Sequence, residues 1–242
     1  VIRLLKDPND GLRFENNNLV DKGDSVTAYE SHTVKSYDQA LSQMTGDCVA
    51  MGKLVEEQLG LSAEALQARN NDIAIETSKR DQEVNALEHS INQQGLKMLA
   101  LRQPMASDLR LVIGTMKIAR DLERMGDYAA NIAKRASKIN AGAELGPTQA
   151  VLAMARLAEP ILRDALLAYQ NQDIELAKSV ESKDDVLDEA YNALLTELMS
   201  YMQTHPDDIK LCTHLIFIAK NFERVGDRAT NIAETVQFIV LG

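Results

Sequence analysis

The chain is 242 residues long and carries 36 acidic against 26 basic side chains, a formal net charge of −10. Such a chain repels phosphate backbones, and with no recognised nucleic-acid motif it is not expected to bind nucleic acid. Glycine (12) and proline (5) are scarce, aromatics make up 4% and tryptophan is absent. What remains is dominated by residues that lose least freedom in a helix.

In chain order, residues 1–30 read as a flexible N-terminal tail, with Pro8, Gly11, Gly23 and consecutive asparagines but no sustained period. The stretch turns charged and polar at once, so no signal peptide is expected. No apolar run approaches the roughly 20 residues a membrane helix needs. Cys48 and Cys212 lie far apart within apolar helical patterns, as in a reduced, cytoplasmic protein. Apolar residues then recur at helical spacing over about 35–69 (Met44, Cys48, Met51, Val55, Leu59, Leu66), 72–102 (Ile73, Val84, Leu87, Ile91, Leu96, Leu99) and 105–138. Residues 140–147 hold two glycines and a proline, a natural boundary. The plan repeats over 148–171, 173–203 and 207–240. Asn71-Asp72 and Asp173 stand where N-caps are expected. The fold expected is all-α: two homologous antiparallel three-helix bundles, over 31–140 and 141–242.

The repeat is explicit at the end of each unit. Residues 118–133 (IARDLERMGDYAANIA) and 218–233 (IAKNFERVGDRATNIA) are identical at ten of sixteen positions with a constant offset of 100. The shared positions include Glu123/Glu223, Arg124/Arg224, Gly126/Gly226, Asp127/Asp227 and Asn131/Asn231. Further upstream Asp81 pairs with Asp184 and Asn85 with Asp188.

On a helical wheel Glu123 and Asp127 fall one turn apart on a stripe shared with Leu109, Val112, Met116, Ala119 and Ala130. Like charges at that spacing destabilise a helix slightly, so the duplicated pair calls for a cause. Salt bridging to Arg120 and Arg124 is the ordinary one. The other is metal: Asp81/Asn85 and Asp184/Asp188 on the preceding helices would face the pairs, and oxygen-rich sets of this kind suit Mg, Mn, Fe or Zn. Glu234 lies on the stripe of Glu223 and Asp227 where the first unit has Lys134, so the second unit is expected to bind more tightly. The metal set is thus Asp81, Asn85, Glu123, Asp127, Asp184, Asp188, Glu223, Asp227 and Glu234.

The strings LERMGDYAANIA and FERVGDRATNIA resemble the doubled E-x-x-x-D signature of the PhoU family of phosphate transport regulators, over about residues 35–242. That resemblance implies two homologous three-helix bundles in a cytoplasmic homodimer. It implies negative regulation of the phosphate-starvation regulon and of phosphate uptake. The partners it implies are the ATPase subunit of the phosphate ABC transporter and a membrane sensor histidine kinase, with the membrane reached only through them. It also implies iron or zinc on Glu123, Asp127, Glu223 and Asp227, with Asp81, Asp184 and Asp188 opposite; Asn85 departs from an all-acid pattern.

A di-iron oxidase would need Glu-x-x-His, which does not occur, and none of His32, His89, His205 and His214 stands near the motif. Gly126 and Gly226 read as close helix contacts, since no P-loop string accompanies them. A non-enzymatic adaptor is therefore expected, with a metal-dependent hydrolase as the alternative and no catalytic residue assigned. The basic arc Arg110, Lys117, Arg120, Arg124 and Arg135 is a candidate docking face. Phe217, where the first unit has Lys117, suggests a dimer or partner contact.

Overall fold

The structure, a computed structural model, describes the backbone of residues 23–102 and 104–242 and side chains from residue 37 onward, apart from 102 and 103. It contains α1 (Gly23–Gln67), α2 (Asn71–Arg102), α3 (Ala106–Asn140), α4 (Thr148–Asn171), α5 (Ile174–Thr204) and α6 (Ile209–Leu241), with a 3-10 turn at Pro206–Asp208 and no strand among the described residues. The expected tail lies largely outside the described residues, and α1 is helical from Gly23, ahead of the expected start at 35. The chain divides into a unit ending at Gln39 and a unit from Ala40 to Gly242. The packing described below belongs to the second unit.

The helix boundaries have local causes. Asn70 caps α2, its side-chain oxygen accepting from Asp72 N (2.9 Å) and Ile73 N (3.4 Å). The cap thus falls one residue before the expected Asn71. Asp173 caps α5 by accepting from Leu176 N at 3.0 Å, as its position predicts. Gln172 ends α4 with φ 52°, the left-handed turn that stops a helix. Arg69 also has positive φ, and its guanidinium donates to the carbonyls of Asn140 and Gly142, tying the α1–α2 turn to the end of α3.

Two antiparallel three-helix bundles result. In the first, Met44, Cys48, Met51, Val55 and Leu59 of α1 are buried with Val84, Ile91 and Met98 of α2 and Val112, Ile118 and Leu122 of α3. The expected core position Leu96 is instead half exposed. In the second, Val151, Leu162 and Leu166 of α4 are buried with Val180, Leu187 and Leu194 of α5 and Leu215, Phe222 and Val225 of α6. The bundles share a core. Gly52 of α1 lies under Leu166 of α4, and Gly114 of α3 lies under Ile239 of α6, so close that an added methyl would sit 2.5 Å from the isoleucine.

The α3–α6 seam accounts for the basic arc. Arg110 donates to the Ile239 carbonyl at 3.3 Å. Lys117 lies over the Phe238 ring, and Arg135 lies 4.1 Å from the centroid of Phe217. Asp121 pairs with Arg228 at 3.2 Å. Arg110, Lys117 and Arg135 thus face α6 rather than forming a free docking arc. Phe217 is apolar because a guanidinium stacks on it within the same chain, a cation–π contact that lysine at 217 would replace with repulsion. Phe217 thus has a partner within its own chain while its ring stays half exposed.

No helix among the described residues is long and apolar enough to cross a membrane. Both cysteines are buried and unpaired, and burial pushes the Cys48 thiol up to about 12. Between the bundles the Tyr169 hydroxyl meets Thr115 Oγ1 at 2.6 Å, while Thr115 Oγ1 itself donates to Leu111 O. Tyr169→Phe is expected to lower stability by about 1 kcal/mol, read from the urea midpoint at unchanged helicity. An unmoved midpoint would mean this bond adds nothing to the joint between bundles.

Candidate functional site

α3 and α6 each surrender one face to the other and another to the core of their own bundle. The strip left over faces the second helix of the bundle, and the duplicated carboxylates lie there. Glycine permits this closeness. A methyl on Gly126 would sit 3.1 Å from Val84 of α2. On Gly226 it would strike the Asp184 carboxyl oxygen and lie 2.8 Å from Leu187. Both motif glycines are therefore close helix contacts, and Gly226 makes the room that Asp184 fills.

In the first bundle Asp81 of α2 and Glu123 and Asp127 of α3 form one electrostatic group. Burial and the neighbouring Asp127 charge raise Asp81 above the usual carboxylate range, with Lys134 opposing. Burial and Asp127 likewise raise Glu123, joined by Glu88 and Asp81 and opposed by Arg124. Asn85 donates to Asp81 Oδ2 at 3.4 Å, leaving Oδ1 buried without a partner. The ordinary salt bridges are present too: Arg124 reaches Glu123 at 3.4 Å and Asp127 at 3.3 Å. They are partly exposed and of small energetic weight. Arg120 pairs with neither carboxylate among these ion pairs.

The second bundle is more acidic. Asp184 and Asp188 of α5 face Glu223 and Asp227 of α6. Asp184 rises to about 6, chiefly through burial, with Asp188, Asp227 and Glu223 adding and the Thr230 hydroxyl opposing. Burial and Asp227 raise Asp188. Thr230 donates to Asp184 Oδ2 at 3.1 Å, and Lys220 pairs with Glu223 Oε1 at 2.5 Å. Three oxygens here remain buried without partners: Asp184 Oδ1, Asp188 Oδ1 and Glu223 Oε2. Buried orphan oxygens are costly, and their concentration at one spot is a feature in need of a cation or water.

Eight of the nine residues read from the sequence thus fall into two groups of four. Glu234 is exposed, and the charges that act on Asp184 and Asp188 do not include it. Three contributors were missed. Glu88 lies two turns beyond Asp81, a heptad signal open to reading. Thr230 replaces Ala130 of the first unit, and Lys220 precedes Glu223 by three residues. Among the described residues no three acidic, thiol or imidazole side chains stand together as a preformed ion cage. The donor chemistry nevertheless fits a hard or borderline cation, because the unpartnered oxygens belong to carboxyl groups. The three described histidines do not enter, and His32 lies outside the described side chains. His205 stacks on Tyr201 with its centroid 4.1 Å away, His214 contacts Arg135, and His89 is exposed.

Fold and site together define a helical protein duplicated from one three-helix unit, with a carboxylate cluster between the second and third helices of each copy. The PhoU domain model matches residues 49–136 and 151–236, one match per bundle. The chain therefore belongs to the PhoU domain family. It is 41% identical over 216 residues to the phosphate-specific transport system accessory protein PhoU homolog of Xylella fastidiosa (strain 9a5c), covering 89% of this chain and 91% of the relative. Identity to the protein of the same description from Caulobacter vibrioides (strain NA1000 / CB15N) is 40% over 212 residues, covering 87% and 92%. The crystal structure of PhoU from Pseudomonas aeruginosa superposes with a TM-score of 0.82 at 34% identity, covering 84% of this chain and 98% of that one. The phosphate transport system regulatory protein PhoU from Streptococcus pneumoniae gives 0.78 at 30%, covering 85% and 97%.

The raised carboxyls make stability pH-dependent. The folded pKa of Asp184, about 6, exceeds its ordinary value of 3.8. The stability it contributes is full below the lower value and lost as pH rises through the higher one. In chelator-treated protein, Asp184→Asn should therefore gain in thermal midpoint relative to wild type between about pH 5 and pH 7. A difference that stays constant over that range would place Asp184 in its ionised form throughout.

Proposed function

We propose that this protein regulates phosphate transport as a non-enzymatic adaptor in the cytoplasm. It represses the phosphate-starvation regulon and phosphate uptake by linking the ATPase subunit of the phosphate ABC transporter to a sensor histidine kinase. The names of its relatives support the phosphate-transport part of this reading. The observation that carries the site is the pair of carboxylate clusters with buried, unpartnered oxygens, a costly arrangement repeated in both copies.

In this reading each cluster holds iron or zinc, with Mg or Mn as the other oxygen-loving candidates. The residues that would hold it are Asp81, Glu123 and Asp127 in the first bundle, with Asn85 a neutral and weaker donor. In the second they are Asp184, Asp188, Glu223 and Asp227. A bound cation would offset the burial and repulsion that raise Asp81, Glu123, Asp184 and Asp188 and would lock α2 to α3 and α5 to α6. The clusters are therefore stiffening devices beside whichever faces meet the transporter and the kinase. Assembly as a homodimer belongs to the same proposal.

The test is a phosphate-regulon reporter in cells lacking the protein, complemented with wild type or with Glu123, Asp127, Glu223 and Asp227 all changed to Ala. Repression in high phosphate is expected from wild type and not from the folded variant. Equal repression by both would remove the clusters from signalling, and failure of both would remove the adaptor reading.

The two clusters should differ. The second has Asp188 where the first has Asn85, so the Glu123→Ala/Asp127→Ala variant, which keeps the second cluster, should bind Mn or Zn more tightly than Glu223→Ala/Asp227→Ala. Lys220 opposes this by neutralising Glu223, and Lys220→Ala should tighten binding further. Equal affinities in direct titration would show that the extra carboxylate does not set the order.

A further inference from the structure

A groove distinct from the carboxylate clusters runs between the first half of α2 and the last turns of α3. It is open, about 440 Å³ in volume, and its rim carries Lys79 and Gln82 from α2 and Lys134 and Lys138 from α3, with Ser78 and Ile75 beneath. No carboxylate lines it, although acidic side chains outnumber basic ones by 36 to 26 along the chain. None of the ion pairs among the described residues uses these three lysines. Lys134 acts on Asp81 at the cluster end, and Lys79 also borders a neighbouring depression lined by Glu57, Glu76 and Glu83.

Solvated lysines on a helix face are common, so the lysines alone decide nothing. The duplicated copy supplies a control within the same chain. Its second helix matches at an offset of 103 and its third at 100, so Ser78, Gln82 and Lys134 correspond to Glu181, Asp185 and Glu234. Lys79 and Lys138 correspond to Ser182 and Phe238. One backbone plan therefore carries three cations and no acid in the first bundle, and three acids with one cation, Lys178 in place of Ile75, in the second. Packing does not require this, since Glu181, Asp185 and Glu234 are exposed, as are Lys79, Lys134 and Lys138.

We infer that the α2–α3 groove of the first bundle is a binding site for a polyvalent oxyanion of the phosphate class, and that the second bundle has no such site. Lysine suits this ligand, as a compact charge with rotatable donors that does not demand a planar partner. Three ammonium groups around a concavity with low-dielectric walls focus a field that a doubly charged anion feels more than a singly charged one. Ile75, half exposed at the base, offers an apolar seat for whatever the phosphoryl group is attached to. This concerns binding alone and does not depend on the adaptor reading.

The test is calorimetric titration of the full chain with three probes: inorganic phosphate, adenosine monophosphate as a soluble phosphate monoester, and phosphatidylcholine vesicles containing phosphatidic acid, a lipid phosphate monoester. The Ser78→Glu/Gln82→Asp/Lys134→Glu variant installs the second bundle's side chains in the first. Lys53→Glu/Lys97→Glu changes the net charge equally at exposed positions outside the groove. A Lys79→Ala/Lys138→Ala variant checks the groove without adding acid, and circular dichroism checks each fold. The groove variant is expected to lose about tenfold or more in affinity, with the charge control close to wild type. Which probe responds identifies whether the phosphoryl group is free, on a soluble ester or on a lipid surface. Absence of binding to all three by wild type overturns the inference, as does an equal loss in the charge control.

Discussion

The antiparallel contact of α3 with α6 is the constraint on which the rest of the molecule depends. It needs a small residue where the helices meet, and Gly114 under Ile239 meets that need. It needs charges to be matched or stacked where they enter the seam, which Asp121–Arg228, Lys117 over Phe238 and Arg135 over Phe217 provide. Once this pair is set, each helix has a second face committed to its own bundle. Little of the circumference is left. The motif carboxylates occupy that remainder, partly buried and turned toward α2 and α5.

That placement explains why the clusters are both unfavourable and retained. A carboxylate on a fully solvated face would be screened and cheap to keep; one in an apolar stripe would be expelled or neutralised. Asp81, Asp184 and Glu223 lie between these limits, each with one oxygen served and another orphaned. Asp184 illustrates the balance: Thr230 satisfies Oδ2, while Gly226 lets Oδ1 press against α6 with nothing to bond to. The two bundles resolve their repulsion differently. The first uses Arg124, exposed and shared between Glu123 and Asp127. The second uses Lys220, which also lies over the Tyr191 ring and is held between cluster and core.

What was legible in the sequence was whatever the helical period and the repeat encode. The offset of 100 located both motifs, and their spacing placed Glu123 and Asp127 on one strip. The caps were legible to within a residue, Asn70 taking the role expected of Asn71. What escaped was anything decided by a neighbour distant in sequence. Phe217 looked like a docking residue because its partner, Arg135, stands 82 positions away on a helix whose register against α6 no period reveals. The basic arc looked free for the same reason. Glu234 shares the wheel stripe of Glu223 and Asp227, and the wheel does not show that its side chain is exposed.

Duplication is usually read for what the copies share, and the shared part here is the backbone plan and the acid pair. Their differences follow a rule of their own. Positions in the bundle cores and the α3–α6 seam vary only within limits set by volume and partner, as Leu122 against Phe222 does. Beside the clusters the copies differ in charge: Ser78, Gln82 and Lys134 of the first are acidic in the second, and Ile75 is a lysine there. One bundle thus presents a cation-rich groove beside its carboxylates and the other extends its acidity along the same path. Two bundles alike in every helix are in this way chemically unlike beside their carboxylates.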